Sequence, residues 1–242
     1  MNLYRVFPPP PEAFDLSASE SRTAVAEHYG ALGESSIRAV MVTNSAGDTI
    51  GPDGSSESLS RGADRELLGI LREEADAVVV GASTIRQEPV PLPRSTPLIV
   101  LSARGDLRNH RLVSRAAPNE RLIVAAPLER KKALEMALSS LPWEHLPWEP
   151  TDSPQTLVDT IREATQGNHL LVEGGRITWE YFAPQTTELL ISTTPPPVNS
   201  RQGIPPWWPG TPTDWELRSL FTGDQRMLYY RHVLVPAARP GP

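Results

Sequence analysis

Four short stretches of this 242-residue chain join glycine to side chains that bind anions or move protons. They are Thr43-Asn44-Ser45-Ala46-Gly47-Asp48, Gly81-Ala82-Ser83-Thr84-Ile85-Arg86-Gln87-Glu88, Ser102-Ala103-Arg104-Gly105-Asp106 and Glu173-Gly174-Gly175-Arg176-Ile177. Glycine lets a backbone approach a phosphate closely, and the free N–H groups at a helix start suit an anion. Glu88 and Glu173 are carboxylates able to pass on a proton. Taken singly, each stretch serves as well for a tight turn, and the Gly174-Gly175 pair reads either as turn or as phosphate cradle. None matches the G-x-G-x-x-G fingerprint or a Walker loop, so neither a Rossmann dehydrogenase nor a P-loop NTPase is supported.

Composition removes other chemistries. The chain has no cysteine, which excludes disulfides, thiolate metal sites and a cysteine nucleophile, and fits a reducing cytosol. Its five histidines, His28, His110, His145, His169 and His232, are scattered without metal-ligand spacing, so no metal site is expected. A net charge of −6 argues against nucleic-acid binding. The basic run Arg130-Lys131-Lys132 reads as a solvated helix face. No apolar stretch approaches the roughly 20 residues of a membrane span, and the N-terminus lacks the pattern of a signal peptide. A soluble, cytoplasmic protein is expected.

The elements that must position these loops alternate along the chain. Residues 37–43, 77–80, 97–101, 122–125 and 170–172 are short apolar runs that read as buried strands. Between them, Ser60 is the expected N-cap of a helix over 62–75 with an apolar stripe of Leu67, Leu68, Leu71 and Ala75. Residues 129–140 are helical, and Ser153-Pro154 opens a helix carrying Leu157, Val158 and Ile161. A short helix is expected over Ser21–Leu32, ended by Gly33. Residues 188–193, 215–221 and 227–235 read as strands, the last two forming an antiparallel hairpin around Gly223-Asp224. The expectation is a three-layer α/β domain with a mixed, mostly parallel sheet. It spans 37–235, after an N-terminal arm and short helix over 1–36 that includes the polyproline-like Pro8–Pro11, and before a flexible tail over 236–242.

The segments SIRAVMVTN, GADRELLGILREEADAVVVGASTIRQE, PLIVLS and LLVEGG, in this order, resemble the pyrimidine reductase family of riboflavin biosynthesis. This is the C-terminal reductase domain of the bifunctional deaminase-reductase, with a dihydrofolate-reductase-like fold. The resemblance runs from about Ile37 to His232. With no deaminase segment and no cysteine, it implies a stand-alone, homodimeric reductase that uses NADPH to reduce the ribose of a phosphoribosylamino-pyrimidine to ribityl. It assigns to the cofactor Thr43, Gly81, Ala82, Thr84, Glu88, Ser102, Arg104, Gly174, Gly175, Arg176 and Ile177, often with a cis Gly-Gly bond. Ser102 falls beside the adenosine 2′-phosphate, and Arg104 is its charge partner. The substrate side takes Asn44, Ser58, Arg72, Arg94 and Glu173, with Glu88 or Glu173 relaying a proton. From the residues themselves, Arg72 could equally pair with Glu73 or Glu74, and Arg94 could be solvated.

The chain departs from the family in three places. Asn44-Ser45-Ala46-Gly47 stands where the family has Ser-Leu-Asp-Gly, so Ala46 replaces an acid beside the substrate. The loop after the second strand is shortened and rich in proline (Pro89, Pro91, Pro93). PPPVNSRQGIPPWWPG replaces a glycine-rich turn. Three readings follow: a riboflavin-type pyrimidine reductase, a related NADPH reductase with another substrate, or a nucleotide-binding homologue without turnover.

Overall fold

The computed structural model of the chain describes residues 1–30, 33–194 and 214–235. Its elements, in order, are β1 (Asn2–Phe7), β2 (Glu12–Asp15), α1 (Ser19–His28), β3 (Ser36–Thr43), α2 (Asp64–Glu73), β4 (Ala77–Gly81) and α3 (Ala82–Gln87). There follow β5 (Val90–Pro91), β6 (Leu98–Leu101), β7 (Leu112–Val113), β8 (Leu122–Ala126), α4 (Lys131–Ala137), β9 (Glu144–Pro147) and α5 (Pro154–Thr165). The chain then forms β10 (His169–Glu173), α6 (Arg176–Phe182), β11 (Glu188–Thr193), β12 (Trp215–Gly223) and β13 (Leu228–Leu234).

Among the described residues, eleven strands form one sheet in the order β2-β1-β12-β13-β11-β3-β10-β4-β6-β8-β9, and β5 pairs with β7 beside it. From β11 to β9 every pairing is parallel, and from β2 to β11 every pairing is antiparallel. This is the mixed α/β architecture expected, with the C-terminal strands β12 and β13 antiparallel and the N-terminal strands β1 and β2 extending that part. The apolar runs of β4, β6 and β8 are buried on both faces because helices cover both sides. Leu67, Ile70 and Leu71 of α2 pack with Val78, Val80 and Val100 on one face. Leu157, Val158 and Ile161 of α5 pack with Val79, Ile99 and Val172 on the other. Each such side chain contributes about 1.5–3 kcal/mol on full burial. Helix α5 starts as expected, with Ser153 Oγ accepting from the Thr156 N–H at 3.1 Å and Pro154 in the first turn.

The structure corrects the sequence reading in several places. Residues 2–15 are no arm: β1 pairs with β12 and β2 with β1, burying Leu3 and Phe14. The prolines hid this, since Pro8–Pro11 form the connection of that hairpin, where no ladder hydrogen bonds are needed. Helix α1 is earlier and shorter than expected. Ser60 does not cap α2, whose preceding residue is Ala63; its Oγ instead donates to Asp64 Oδ2 at 2.5 Å. The helix expected over 129–140 is a 3-10 turn, Leu128–Arg130, followed by α4. Strand β9 and the β5–β7 pair were not expected. The segment PPPVNSRQGIPPWWPG and the tail over 236–242 lie outside the described residues.

At the start of β3 and β11, a buried charge cluster fixes α1 to the sheet. Arg38 Nε donates to Glu188 Oε1 at 3.2 Å, and Arg231 Nε to Glu188 Oε2 at 3.0 Å. Their remaining N–H groups take the carbonyls of His28 and Gly30, at the end of α1. This satisfies carbonyls that a helix terminus leaves open. It also lies at the opposite end of the strands from the four glycine-bearing loops.

Candidate active site at the C-terminal edge of the sheet

The C-terminal ends of β3, β10, β4 and β6 lie side by side in that order, so their following loops share one edge. Register places Glu173 opposite both Val40 and Val80, and Gly81 opposite Leu101. Parallel α/β sheets gather ligands at this edge.

Two reciprocal contacts weld the centre of the edge. A Cβ on Gly174 would lie 2.8 Å from Thr84 Oγ1, and one on Gly81 would lie 2.5 Å from Thr178 Oγ1. The end of β10 therefore touches α3, and the end of β4 touches α6, leaving no room for a side chain at either glycine. Gly174 also has φ +82°, the left-handed region that favours glycine. Gly175 differs: the nearest atoms to its Cβ position are Ser83 Oγ at 3.7 Å and Thr84 Oγ1 at 3.8 Å, ordinary contact distances. The two glycines thus differ in role, Gly174 being required by packing and Gly175 presenting exposed backbone. Gly174–Gly175 is not among the cis peptides, which are Phe7–Pro8 and Pro9–Pro10, so the cis bond implied by the resemblance is absent.

The residues assigned to a cofactor are spread along this edge, with Thr84 in contact with Gly174. Thr84 stands on α3 beside Gly174 and Gly175, Ala82 opens that helix, and Arg176 and Ile177 begin α6, Ile177 being 80% exposed. Arg176 Nε donates to Glu180 Oε1 at 2.6 Å, which leaves it at the surface along its own helix. Ser102 is almost wholly buried; its N–H donates to Ala125 O and its carbonyl accepts from the Gly105 N–H, closing a turn that leaves Arg104 exposed. Thr43 is buried at the end of β3, paired with Thr193.

The residues assigned to a substrate divide. Arg72 and Glu173 meet: Nε–Oε1 is 2.6 Å and Nη2–Oε2 is 2.5 Å, with side chains 18% and 9% exposed. The alternative pairing of Arg72 with Glu73 or Glu74 is thereby corrected. Burial opposes charge on Arg72, but the Glu173 carboxylate and its hydrogen bonds outweigh this and raise the guanidinium. Arg94 is exposed, though Thr96, two residues on, donates its Oγ1 to the Arg72 carbonyl at 2.9 Å. Asn44 and Ser58 serve their own loop. Asn44 Oδ1 accepts from the Ala46 and Asp48 N–H groups, and Ser58 Oγ donates to Asp53 Oδ1 at 2.6 Å. Glu88 ties that loop to α3, accepting from the Ser56 N–H at 2.5 Å and from Ser56 Oγ at 3.0 Å.

Sequence reasoning passed over Asp64. It is buried at the start of α2, bonded to Ser60 and to Ser192 of β11, where it ties the 44–63 loop to the sheet edge. Burial pushes its carboxyl up, against hydrogen bonds from Ser192 and Ser60 and the charge of Arg65. The available signal was spacing: Asp64 precedes Leu67 and Leu71 by three and seven residues, on the apolar stripe.

The donor set fits a dinucleotide phosphate: exposed glycine backbone at Gly175, the Thr84 hydroxyl beside it, and a turn bearing an exposed arginine at the neighbouring strand end.

Residues 37–185 match the RibD C-terminal domain family. No curated protein matches the chain. Among solved structures, a pyrimidine reductase-like protein of Corynebacterium diphtheriae is similar at 21% identity, over 87% of this chain and 98% of that one, with a TM-score of 0.62. A diaminohydroxyphosphoribosylaminopyrimidine deaminase/5-amino-6-(5-phosphoribosylamino)uracil reductase of Thermotoga maritima is similar at 15% identity, over 84% of this chain, with a TM-score of 0.61; the match spans 57% of that protein. The riboflavin biosynthesis reductase of Saccharomyces cerevisiae is similar at 11% identity, over 83% of this chain and 90% of that one, with a TM-score of 0.54. These likenesses carry the fold.

Proposed function

The chain belongs to the RibD C-terminal domain family, and on that premise we propose that it is an NADPH-dependent reductase of the riboflavin-pathway pyrimidine type. The observation that carries this reading is the glycine–threonine junction at the strand ends, where Gly174 abuts Thr84 and Gly175 leaves its backbone open. NADPH supplies the hydride when bound, so the protein's work is binding and orientation. Gly175, Arg176, Ile177, Ala82 and Thr84 hold its phosphates. Ser102 and Arg104 stand at the adenosine end, where a hydroxyl and a cation instead of an acid favour NADPH over NADH.

On the substrate side, the Arg72–Glu173 pair offers charge-assisted hydrogen bonding to a ribosyl phosphate or pyrimidine, and Glu173 or Glu88 would relay the proton that accompanies reduction of the imine. The reading includes a homodimer, supported by the exposed Tyr4 and Val6 on β1, and a cytoplasmic location, supported by the cysteine-free composition. Among the described residues no helix is long and apolar enough to cross a membrane.

A second reading, a reductase of another substrate, is favoured by the 44–48 turn. Ala46 lacks the family's acid, and the neighbouring Asp48 is held by Asn44 Nδ2 at 2.9 Å. Equilibrium titration with NADPH and NADH tests the cofactor: tighter binding of NADPH is expected, and absence of NADPH binding overturns both readings. A homologue that binds without turnover is then separated by assay with the pyrimidine substrate.

A further inference from the structure

The basic run Arg130-Lys131-Lys132 reads in the sequence as a solvated helix face, yet the fold sets its first member beside the turn that follows β6. Strand β8 neighbours β6, and the chain leaving β8 brings Arg130 over Gly105. A Cβ on Gly105 would lie 2.3 Å from Cβ and 2.8 Å from Cγ of Arg130, so the arginine stem lies on the glycine. Gly105 has φ +62°, which again favours glycine. Arg130 and Arg104 thus belong to one surface.

Charge accounting at this turn leaves an excess. The carboxylate within it, Asp106, is taken by Arg108, with Nε–Oδ1 2.9 Å and Nη2–Oδ2 3.2 Å. Arg86 Nη1 donates to the Asp106 carbonyl at 2.6 Å, adding a fourth cation, from α3. Arg108 holds the Asp106 carboxyl down to about 2, so it stays ionised and occupied. Arg104 makes no ion pair among the described residues, and Arg130 reaches Glu129 only at 3.9 Å. A cleft of about 430 Å³ opens alongside, lined by Arg86, Asp106, Arg108, Asn109 and Ala137. Asp106 thus offsets one arginine, and Arg86, Arg104 and Arg130 leave a positive excess for an anion from outside, Arg86 being held at a backbone carbonyl. Ser102, almost wholly buried beneath them, offers at most a hydroxyl and no charge.

We propose that Arg130, together with Arg104, is a specificity-determining residue that reads the adenosine 2′-phosphate. The inference rests on the NADPH reading above and adds to it the residue that carries the charge discrimination. A dianionic phosphate is the ligand group that two exposed guanidinium groups, one on this turn and one seated over it with only a long 3.9 Å contact to Glu129, recognise best. Arg130 is pre-positioned because its stem is pinned on Gly105, whereas Arg104 is free to swing.

The test uses adenosine 2′,5′-bisphosphate and adenosine 5′-monophosphate as probes, titrated calorimetrically into the full chain. Wild type should bind the bisphosphate more tightly. Arg130→Met keeps the stem on Gly105 and removes the charge. It should lose about ten- to a hundredfold of bisphosphate affinity with monophosphate affinity unchanged. Arg130→Lys should retain most of the discrimination, and Lys132→Ala, farther along the same run, should retain all of it. Discrimination preserved in a folded Arg130→Met overturns the inference while leaving the NADPH reading intact. A wild type that does not discriminate overturns the NADPH reading, and the inference with it.

Discussion

Arg72, in the last turn of α2, and Glu173, at the end of β10, form a two-pronged ion pair across 101 residues of sequence, with both contacts at 2.5–2.6 Å. The pair joins the helix that leaves the 44–63 loop to the strand that enters the glycine pair. It can serve a ligand only as a unit, because removing one partner leaves the other's charge buried. Arg72→Ala should therefore lower stability by about 3–5 kcal/mol, whereas Arg94→Ala, at an exposed position, should stay within about 0.5 kcal/mol. Urea unfolding of the two variants checks this. Equal, negligible losses would show that Arg72 is not held by Glu173.

The two adjacent glycines should behave differently. Gly174→Ala forces a side chain into the left-handed region and against Thr84 Oγ1, so it should destabilise the fold by about 1–3 kcal/mol. Gly175→Ala meets only ordinary contacts and should fold normally, while weakening NADPH where the backbone meets phosphate. Thermal unfolding and cofactor titration on both variants separate the effects. A Gly175→Ala protein that binds NADPH like wild type would make the pair a turn and nothing more.

Glu88 holds the 44–63 loop through a single residue, Ser56. Glu88→Ala should free that anchor at a cost of about 1–3 kcal/mol, confined to the loop. Hydrogen exchange should then quicken at Ser55–Leu59 and leave β4 and β10 protected. Uniform protection in the variant would contradict the anchoring role.

Burial lowers the His232 imidazole to about 4, from an unfolded value near 6.5. Its neutral form is the folded one, so its contribution is complete above about pH 6.5 and is lost as pH falls through about 4. Asp64, pushed up by burial, acts in the opposite sense, since its protonated form suits the fold. His232→Gln should consequently flatten the acid limb of a stability–pH curve measured by denaturant unfolding. An unchanged acid limb would contradict this.

Much of the fold was legible because β4, β6, β8 and β10 are buried on both faces and so announce themselves as apolar runs. Helix α5 was legible through Ser153-Pro154, a purely local signal. What stayed hidden depends on long-range partners. Strand β1 makes sense only beside β12, more than two hundred residues away, and four prolines disguise it. The glycines that mark the site could be read, but which of them packing demands could not, since Thr84 and Thr178 come from other elements. The partner of Arg72, the burial of Asp64 against Ser192 and the seat of Arg130 on Gly105 are likewise products of topology.

Turnover tests the central claim most directly: oxidation of NADPH by the chain in the presence of 5-amino-6-(5-phosphoribosylamino)uracil, with the product examined for a ribityl chain. The account predicts NADPH oxidation that depends on the pyrimidine, matches ribityl product one for one, and is much slower with NADH. NADPH that binds but is not oxidised with this substrate would contradict the riboflavin-type assignment and leave the reductase of another substrate or the silent homologue.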